Sequence, residues 1–440
     1  MNHRAIAPLL FDPILALCLH SMASSMLRSS RWNLKSLIQP WADIDWVLLL
    51  AVTVMTVIGG ISIRSVELSS GGTNWIQHLV MGAIGLIIAL WLARSRYEEV
   101  ERWRWWIYGG INLLLIAVML FGTTALGAER WLTIGNFNIQ PSEFAKVGLI
   151  ITLASAINQE SISTLPRLFQ VLAVTAVPAA LVFLQPSLGS TLVLGSICMS
   201  MLYWGNANPG WLALLVSPVI SAVLFNVYLP AWLAWVALMG FAAWKSLPWR
   251  IYGSLGAIVV NLTSGGLGKI FWDFLKPYQK ARITMFLNPD QDPMGGGYHL
   301  IQSRIAIGAG GLWGQGLFKG TQTQLNFIPE QDTDFIFAAV GEELGFIGSI
   351  VVLALFWIIC LRLVSIAQSA KDNFGSAIAI GVLGMLIFQI TVNIGMTIGL
   401  APITGIPLPW LSYGRSAMLT NFVAIGLVLS VANHRQRLRF

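Results

Sequence analysis

The sequence predicts an all-α polytopic membrane protein of about twelve transmembrane helices, with one large folded loop on the outer face. Three observations carry this. Of 440 residues, 56% are hydrophobic and only 10% are charged, against about 25% charged in soluble domains. Apolar runs near spanning length recur along the chain. Lysine and arginine crowd alternate loops rather than all of them. The nineteen tryptophans suit belts where indole meets headgroups. The net charge of +7 fits cations drawn to anionic membrane lipids, so no nucleic-acid partner is needed.

Residues 1–44 read as a cytoplasmic tail. Pro8 to His20 is apolar but too short to span, and no small-residue cleavage site follows; Met22 and Met26 are alternative starts. Spans are expected at about 45–64, 75–93, 105–124, 144–158, 168–185, 188–205, 211–227, 230–246, 251–271, 334–361, 375–399 and 416–432. Breaks are shortest between 211 and 271. Arg28, Arg31 and Lys35 precede the first span, and Arg94, Arg96, Arg102 and Arg104 follow the second. Lys245 and Arg250 flank the break after the eighth, Arg362 and Lys371 follow the tenth, and Arg435, Arg437 and Arg439 close the basic C-terminus, 434–440. With all of these on one side, both termini are cytoplasmic, and 272–333 and 400–415 face outward. Cys18, Cys198 and Cys360 sit in apolar contexts at unrelated spacings and read as packing residues. No internal repeat is visible, which counts against an inverted-repeat transporter.

The loop 272–333 is too long for a plain connector and too apolar for disorder. Tyr298 to Ile307 suits a short amphipathic helix on the membrane face. Its many glycines allow tight turns. At its end, Ile328-Pro329-Glu330-Gln331-Asp332-Thr333-Asp334-Phe335-Ile336-Phe337 passes from polar loop to apolar helix. An acid at the mouth of a span costs a few kcal/mol unless solvated or paired, so Asp334 is held by a partner or used for chemistry.

Glu143 and Lys146, three apart after Pro141, share a helix face. They read equally as an ion pair at a helix start and as a holder for an anionic group, with Arg130 and Trp131 upstream. Glu342 and Glu343 lie two turns below Asp334 and point about a hundred degrees apart. At least one should face the bundle interior, and bonding to backbone at a helix break suits them as well as catalysis does. The Pro- and Gly-broken run from Pro402 to Ser416 is tolerated at membrane depth only under protein or beside a wet cavity, and Asn393 is placed to satisfy its backbone.

Four segments, taken together, resemble the SEDS family (shape, elongation, division and sporulation proteins). They are Arg130-Trp131 through Gln140-Pro141-Ser142-Glu143 to Lys146; Gln185-Pro186-Ser187-Leu188-Gly189-Ser190; Gly320-Thr321-Gln322-Thr323-Gln324-Leu325 through Pro329-Glu330 and Thr333-Asp334-Phe335-Ile336-Phe337 to Gly341-Glu342-Glu343-Leu344-Gly345; and Gly405 to Ser416. The resemblance covers about 45–433 and is nearer the elongation branch than the division branch. It implies a ten-helix core, here with an extra pair of spans, and a catalytic loop at 272–333. It implies a peptidoglycan glycosyltransferase that polymerises lipid II into glycan strands at the outer face of the bacterial cytoplasmic membrane. The partner implied is a class B penicillin-binding protein, a transpeptidase. The family's essential acid corresponds to Asp334, expected to be the base for the acceptor hydroxyl. Arg130, Trp131, Glu143, Lys146, Gln302, Ser303, Arg304, Glu330 and Tyr413 form the expected substrate-binding set, supported by Glu342, Glu343, Gln140, Asn393 and Ser412. A divalent cation, Mg or Mn, suits a diphosphate substrate, although no ligand cluster demands one. Ser187 stands where the family usually has Asp, and Arg415 where it has Gly. A transporter for lipid-linked precursors and a pure recruiting scaffold are the competing readings.

Overall fold

Every one of those apolar runs forms a helix in the computed structural model. The structure describes residues 44–435 except 69–70, 126–127 and 135–136, and between 275 and 296 only 280 and 286. The predicted N-terminal tail, most of the first part of the outer loop, Arg437 and Arg439 lie outside the described residues. The helices are α1 (Trp46–Val66), α2 (Asn74–Arg94), α3 (Tyr97–Arg102), α4 (Arg104–Phe121), α5 (Pro141–Gln159), α6 (Leu165–Leu184), α7 (Leu188–Trp204), α8 (Pro209–Val227), α9 (Leu229–Ser246), α10 (Arg250–Phe274), α11 (Tyr298–Gly310), α12 (Thr321–Gln324), α13 (Ile336–Ser369), α14 (Asn373–Ile398) and α15 (Arg415–Asn433). Among the described residues seven of them, α1, α2, α4, α6, α13, α14 and α15, are long and apolar enough to cross a membrane.

Local chemistry sets many of the ends. Asp45 accepts the Leu48 N–H at 3.0 Å and starts α1. Asn208 and Asp372 cap α8 and α14 in the same way. Proline occupies the first turn of α5, α6, α8 and α9, where a missing N–H costs nothing. The central layer is α14, packed on α5, α7 and α13, while α15 lies along α2 and α1 along α13. Helices α8, α9 and α10 pack on one another and meet the other helices mainly through α7.

Three expectations need correction. The chain is not purely helical: β1 (Thr123–Ala125), β2 (Ala128–Ile134) and β3 (Phe137–Ile139) form a three-stranded antiparallel sheet between α4 and α5. The run 334–361 is not one unbroken helix. Gly345 has φ +67° inside α13, a left-handed value that favours glycine. There the 311–316 turn takes over the backbone bonding: Gln315 N–H donates to Glu342 O and Gly316 N–H to Glu343 O, and Phe346 N–H donates to Gly311 O. Finally, the loop helix α11 packs on α13 and α14, burying Leu300, Ser303, Ala306 and Gly310 rather than only resting one face on lipid.

Candidate functional site

Asp334 lies in a turn just before α13. Glu330, at φ +53°, offers its carbonyl to three successive amides: Thr333 at 3.3 Å, Asp334 at 3.0 Å and Phe335 at 3.3 Å. The Thr333 hydroxyl donates to the Glu330 carboxylate at 3.1 Å. Immediately after Asp334, Phe335 anchors in a buried cluster with Ala306, Ile328 and Ala338, and the His299 ring stacks on it at 6.1 Å. The backbone is thus fixed on both sides of a half-buried acid.

Asn393, fully buried on α14, donates to Asp334 O at 3.0 Å and to Ile406 O at 2.8 Å. One amide therefore ties the Asp334 turn to the broken 400–414 segment. The same segment is tied again where Tyr413 N–H donates to Asp332 O at 2.8 Å, and it closes on itself where Leu408 N–H donates to Ser412 Oγ at 2.8 Å. Tyr413 OH donates to Gln77 Oε1 at 2.8 Å and accepts from Arg415 Nε at 3.0 Å. Gln140 N–H donates to Ser416 Oγ at 3.0 Å, bringing the start of α5 to the start of α15.

Asp332 is the residue that sequence reasoning passed over. Its carboxylate accepts from Asn74 Nδ2 at 3.1 Å. Burial pushes its pKa up; the Asn74 contact pulls against this, and Glu330 and Glu67 push the same way as burial. The signal available was the Asp-x-Asp spacing with Asp334, but its partners come from helix α2 and the 400–414 segment, far away in sequence.

Glu342 and Glu343 are both buried and both support backbone. Glu342 accepts from the amides of Gln322 and Thr323 at 2.8 and 2.9 Å and from the Thr323 hydroxyl at 2.6 Å, capping the short α12. Glu343 accepts from Ser65 on α1, and Gln324 Nε2 donates to Ser65 O at 2.9 Å.

The remaining expected residues scatter. Lys146 is 1% exposed and pairs with Glu143 at 2.6 Å, so the two form a buried pair inside α5. Ser303 donates its hydroxyl to Thr397 O at 2.8 Å. Gln302 is half-buried and Arg304 exposed on α11, the Arg304 stem crossing the end of α14 at Gly399. Trp131 lies half-buried on β2, and the Arg130 side chain is outside the described ones. Ser187 donates to Ser190 Oγ at 3.0 Å at the start of α7. Among the described residues no three His, Cys, Asp or Glu side chains gather in one cluster.

The arrangement offers two half-buried acids, Asp332 and Asp334, on a rigid turn, and a guanidinium at the start of α15 that is tied to that turn through Tyr413. It is suited to taking a proton from a bound hydroxyl.

The profile of the family described as cell cycle protein, covering FtsW, RodA and SpoVE, matches residues 42–246 and 233–437. The peptidoglycan glycosyltransferase RodA of Treponema pallidum is 35% identical over 432 residues, covering 90% of this chain and 98% of the relative. The peptidoglycan glycosyltransferase MrdB of Escherichia coli is 35% identical over 357 residues, covering 81% and 85%. A solved structure on the coordination of polymerization and crosslinking by a peptidoglycan synthase complex aligns with TM-score 0.67 at 28% identity, covering 90% of this chain and 99% of that one. The rod shape determining protein RodA of Thermus thermophilus shares the fold, with TM-score 0.59 at 23% identity over 90% and 99% of the two chains.

Proposed function

The chain belongs to the FtsW, RodA and SpoVE family of cell cycle proteins, and from that premise we infer that it is a peptidoglycan glycosyltransferase building glycan strands from lipid II during cell elongation. Relatives named for this activity cover most of the chain, which favours the enzyme over a transporter or scaffold. The chain then crosses the cytoplasmic membrane about twelve times with both termini inside, which sets the 272–333 loop and Asp334 on the outer face. A class B penicillin-binding protein is the partner we propose, by extension from the synthase complex that the fold resembles.

Asp334 takes the proton from the acceptor hydroxyl of lipid II as that oxygen bonds to the donor sugar's anomeric carbon. The bond to the lipid diphosphate breaks in the same displacement. The observation that carries this is the Asp334 turn, held by Glu330 O and Asn393 Nδ2, because a base must be positioned before its pKa matters. Arg415, beside Tyr413, and Arg304 are the proposed contacts for the departing diphosphate. Glu143 and Lys146 are proposed to hold the wall behind the site. Any divalent cation would arrive with the diphosphate, and the test is loss of polymer in EDTA with recovery on adding Mg2+.

The deciding experiment uses purified protein with its partner and labelled lipid II. Asp334→Asn should lower strand synthesis by roughly 10²–10⁴ with an unchanged melting temperature. Strands of normal length from that variant would remove Asp334 from the base role.

A further inference from the structure

From Ser161 to Trp272 the chain contains no aspartate or glutamate, yet it carries Arg167, Lys245, Arg250 and Lys269. Two of these cations meet in a groove of about 670 Å³ at one end of the α8–α10 unit, lined by Thr164, Trp211, Lys245, Ser246, Trp249 and Arg250 among others. No carboxylate lines it. The nearest acid in sequence, Glu160, is paired with Arg167. Among the described residues neither Lys245 nor Arg250 forms an ion pair.

The groove is held in shape by packing and hydrogen bonds. Trp211 Nε1 donates to Ser246 O at 3.0 Å, fixing the start of α8 against the end of α9. Gly210 lets them meet, since a β-carbon there would lie 2.4 Å from Ser246 Cβ. Lys245 lies over the Phe241 ring at 5.0 Å. Arg250 opens α10, where the helix macrodipole disfavours a cation, so an anion beside it offsets both charges. The adjoining wall is apolar and uncovered: Phe241, Trp244, Ile251, Tyr252 and Leu255 are all exposed.

We propose that this groove binds an anionic glycerophospholipid, its phosphodiester between Lys245 and Arg250, its headgroup rim against Trp249, and its acyl chains along Phe241 and Leu255. Basic pockets between membrane helices bind anionic headgroups by this chemistry, and the tryptophans suit the headgroup level. A soluble phosphate would use the same cations but not the apolar wall. Under the orientation proposed above the groove is cytoplasmic, remote from Asp334, and the lipid binding does not depend on the reading of the catalytic site.

The test is lipid retention by the full chain. Protein in zwitterionic nanodiscs doped with phosphatidylglycerol is extracted into mild detergent, and retained lipid is counted by native mass spectrometry. Wild type should keep phosphatidylglycerol in preference to phosphatidylcholine. The double variant Lys245→Gln/Arg250→Gln should bind it at least five-fold more weakly. The control pair Arg102→Gln/Arg104→Gln, on another loop, should bind as wild type does. Millimolar glycerophosphate should not displace the lipid. Equal retention by Lys245→Gln/Arg250→Gln, equal loss in the control pair, no preference in wild type, or displacement by glycerophosphate would each overturn the proposal. Strand synthesis by Lys245→Gln/Arg250→Gln in detergent, together with an unchanged melting temperature, guards against misfolding as the cause.

Discussion

Residues 330–343 hold five of the chain's nineteen acids, Glu330, Asp332, Asp334, Glu342 and Glu343, whereas 161–272 holds none. In the first region helix geometry is broken, at the 330–335 turn and at Gly345. The buried Glu342 takes its partners from the first-turn amides of the short α12, Gln322 and Thr323. In the α8–α10 part of the second region the helices run continuously, and buried polarity is neutral and paired within the unit. Asn261 donates to Ser217 Oγ at 3.1 Å, Ser221 to Asn261 O at 2.7 Å, and Trp232 Nε1 to Ser221 Oγ at 2.9 Å. In α8–α10 only hydroxyls, amides and indoles are buried, and Lys245 and Arg250 stay at the helix ends. Elsewhere buried carboxylates have strong donors, backbone amides for Glu342 and the Lys146 ammonium for Glu143.

The largest effect that can break this contrast is on activity. Asp334→Asn should cost roughly 10²–10⁴ in rate, while Asn261→Ala should leave strand synthesis within two-fold, about what assay scatter allows for a site outside the chemistry. Comparable losses from both, measured on labelled lipid II, would mean that the α8–α10 unit is part of the catalytic machinery. Next is Gly345→Ala. The added carbon would lie 2.3 Å from Gly314 N at a residue with φ +67°, so strain and overlap together should cost about 3 kcal/mol or more. Chemical denaturation in detergent checks this, and a variant as stable as wild type would mean that α13 straightens without penalty.

Glu342→Gln should come third. It keeps the shape but removes the charge that four donors share. Bonds to a charged group contribute about 1.5–3 kcal/mol, so a loss near about 2 kcal/mol is expected, together with faster amide exchange at Gln322 and Thr323. Asn261→Ala should cost less, about 1 kcal/mol, as interhelical polar contacts in membranes generally do.

The helices were legible because apolar length alone marks them, and the start of α5 because Pro141 carries a local signal; the caps Asp45, Asn208 and Asp372 emerge only in the structure. Asp334 was legible because it interrupts an apolar context. Three further features were not. Ala128–Ile134 carries β-branched and aromatic residues, but its partners are strands of three residues, too short to stand out beside long spans. Gly345 is a single glycine in an apolar run, and its left-handed backbone exists only because the 311–316 turn bonds to the opened helix. Asp332 owes its role to Asn74 and Tyr413, and neither contact leaves a local mark.

Asp332 supplies the smallest and most exacting test. Burial outweighs the help from Asn74, so its pKa in the folded protein lies above the ordinary carboxylate value. At low pH the group is protonated folded or unfolded, and its contribution to stability is intact. As pH rises, the unfolded chain ionises first, and stability is lost until the folded-state pKa has been passed. Asp332→Asn does not titrate, and its side-chain oxygen still accepts from Asn74. The variant should therefore melt at the same temperature as wild type at about pH 3, below the ordinary carboxylate value, and above it at neutral pH, the gap opening as pH rises. If wild type is the more stable protein at neutral pH, then the Asn74 contact outweighs burial. In that case the acid-rich turn is held by its charges rather than in spite of them.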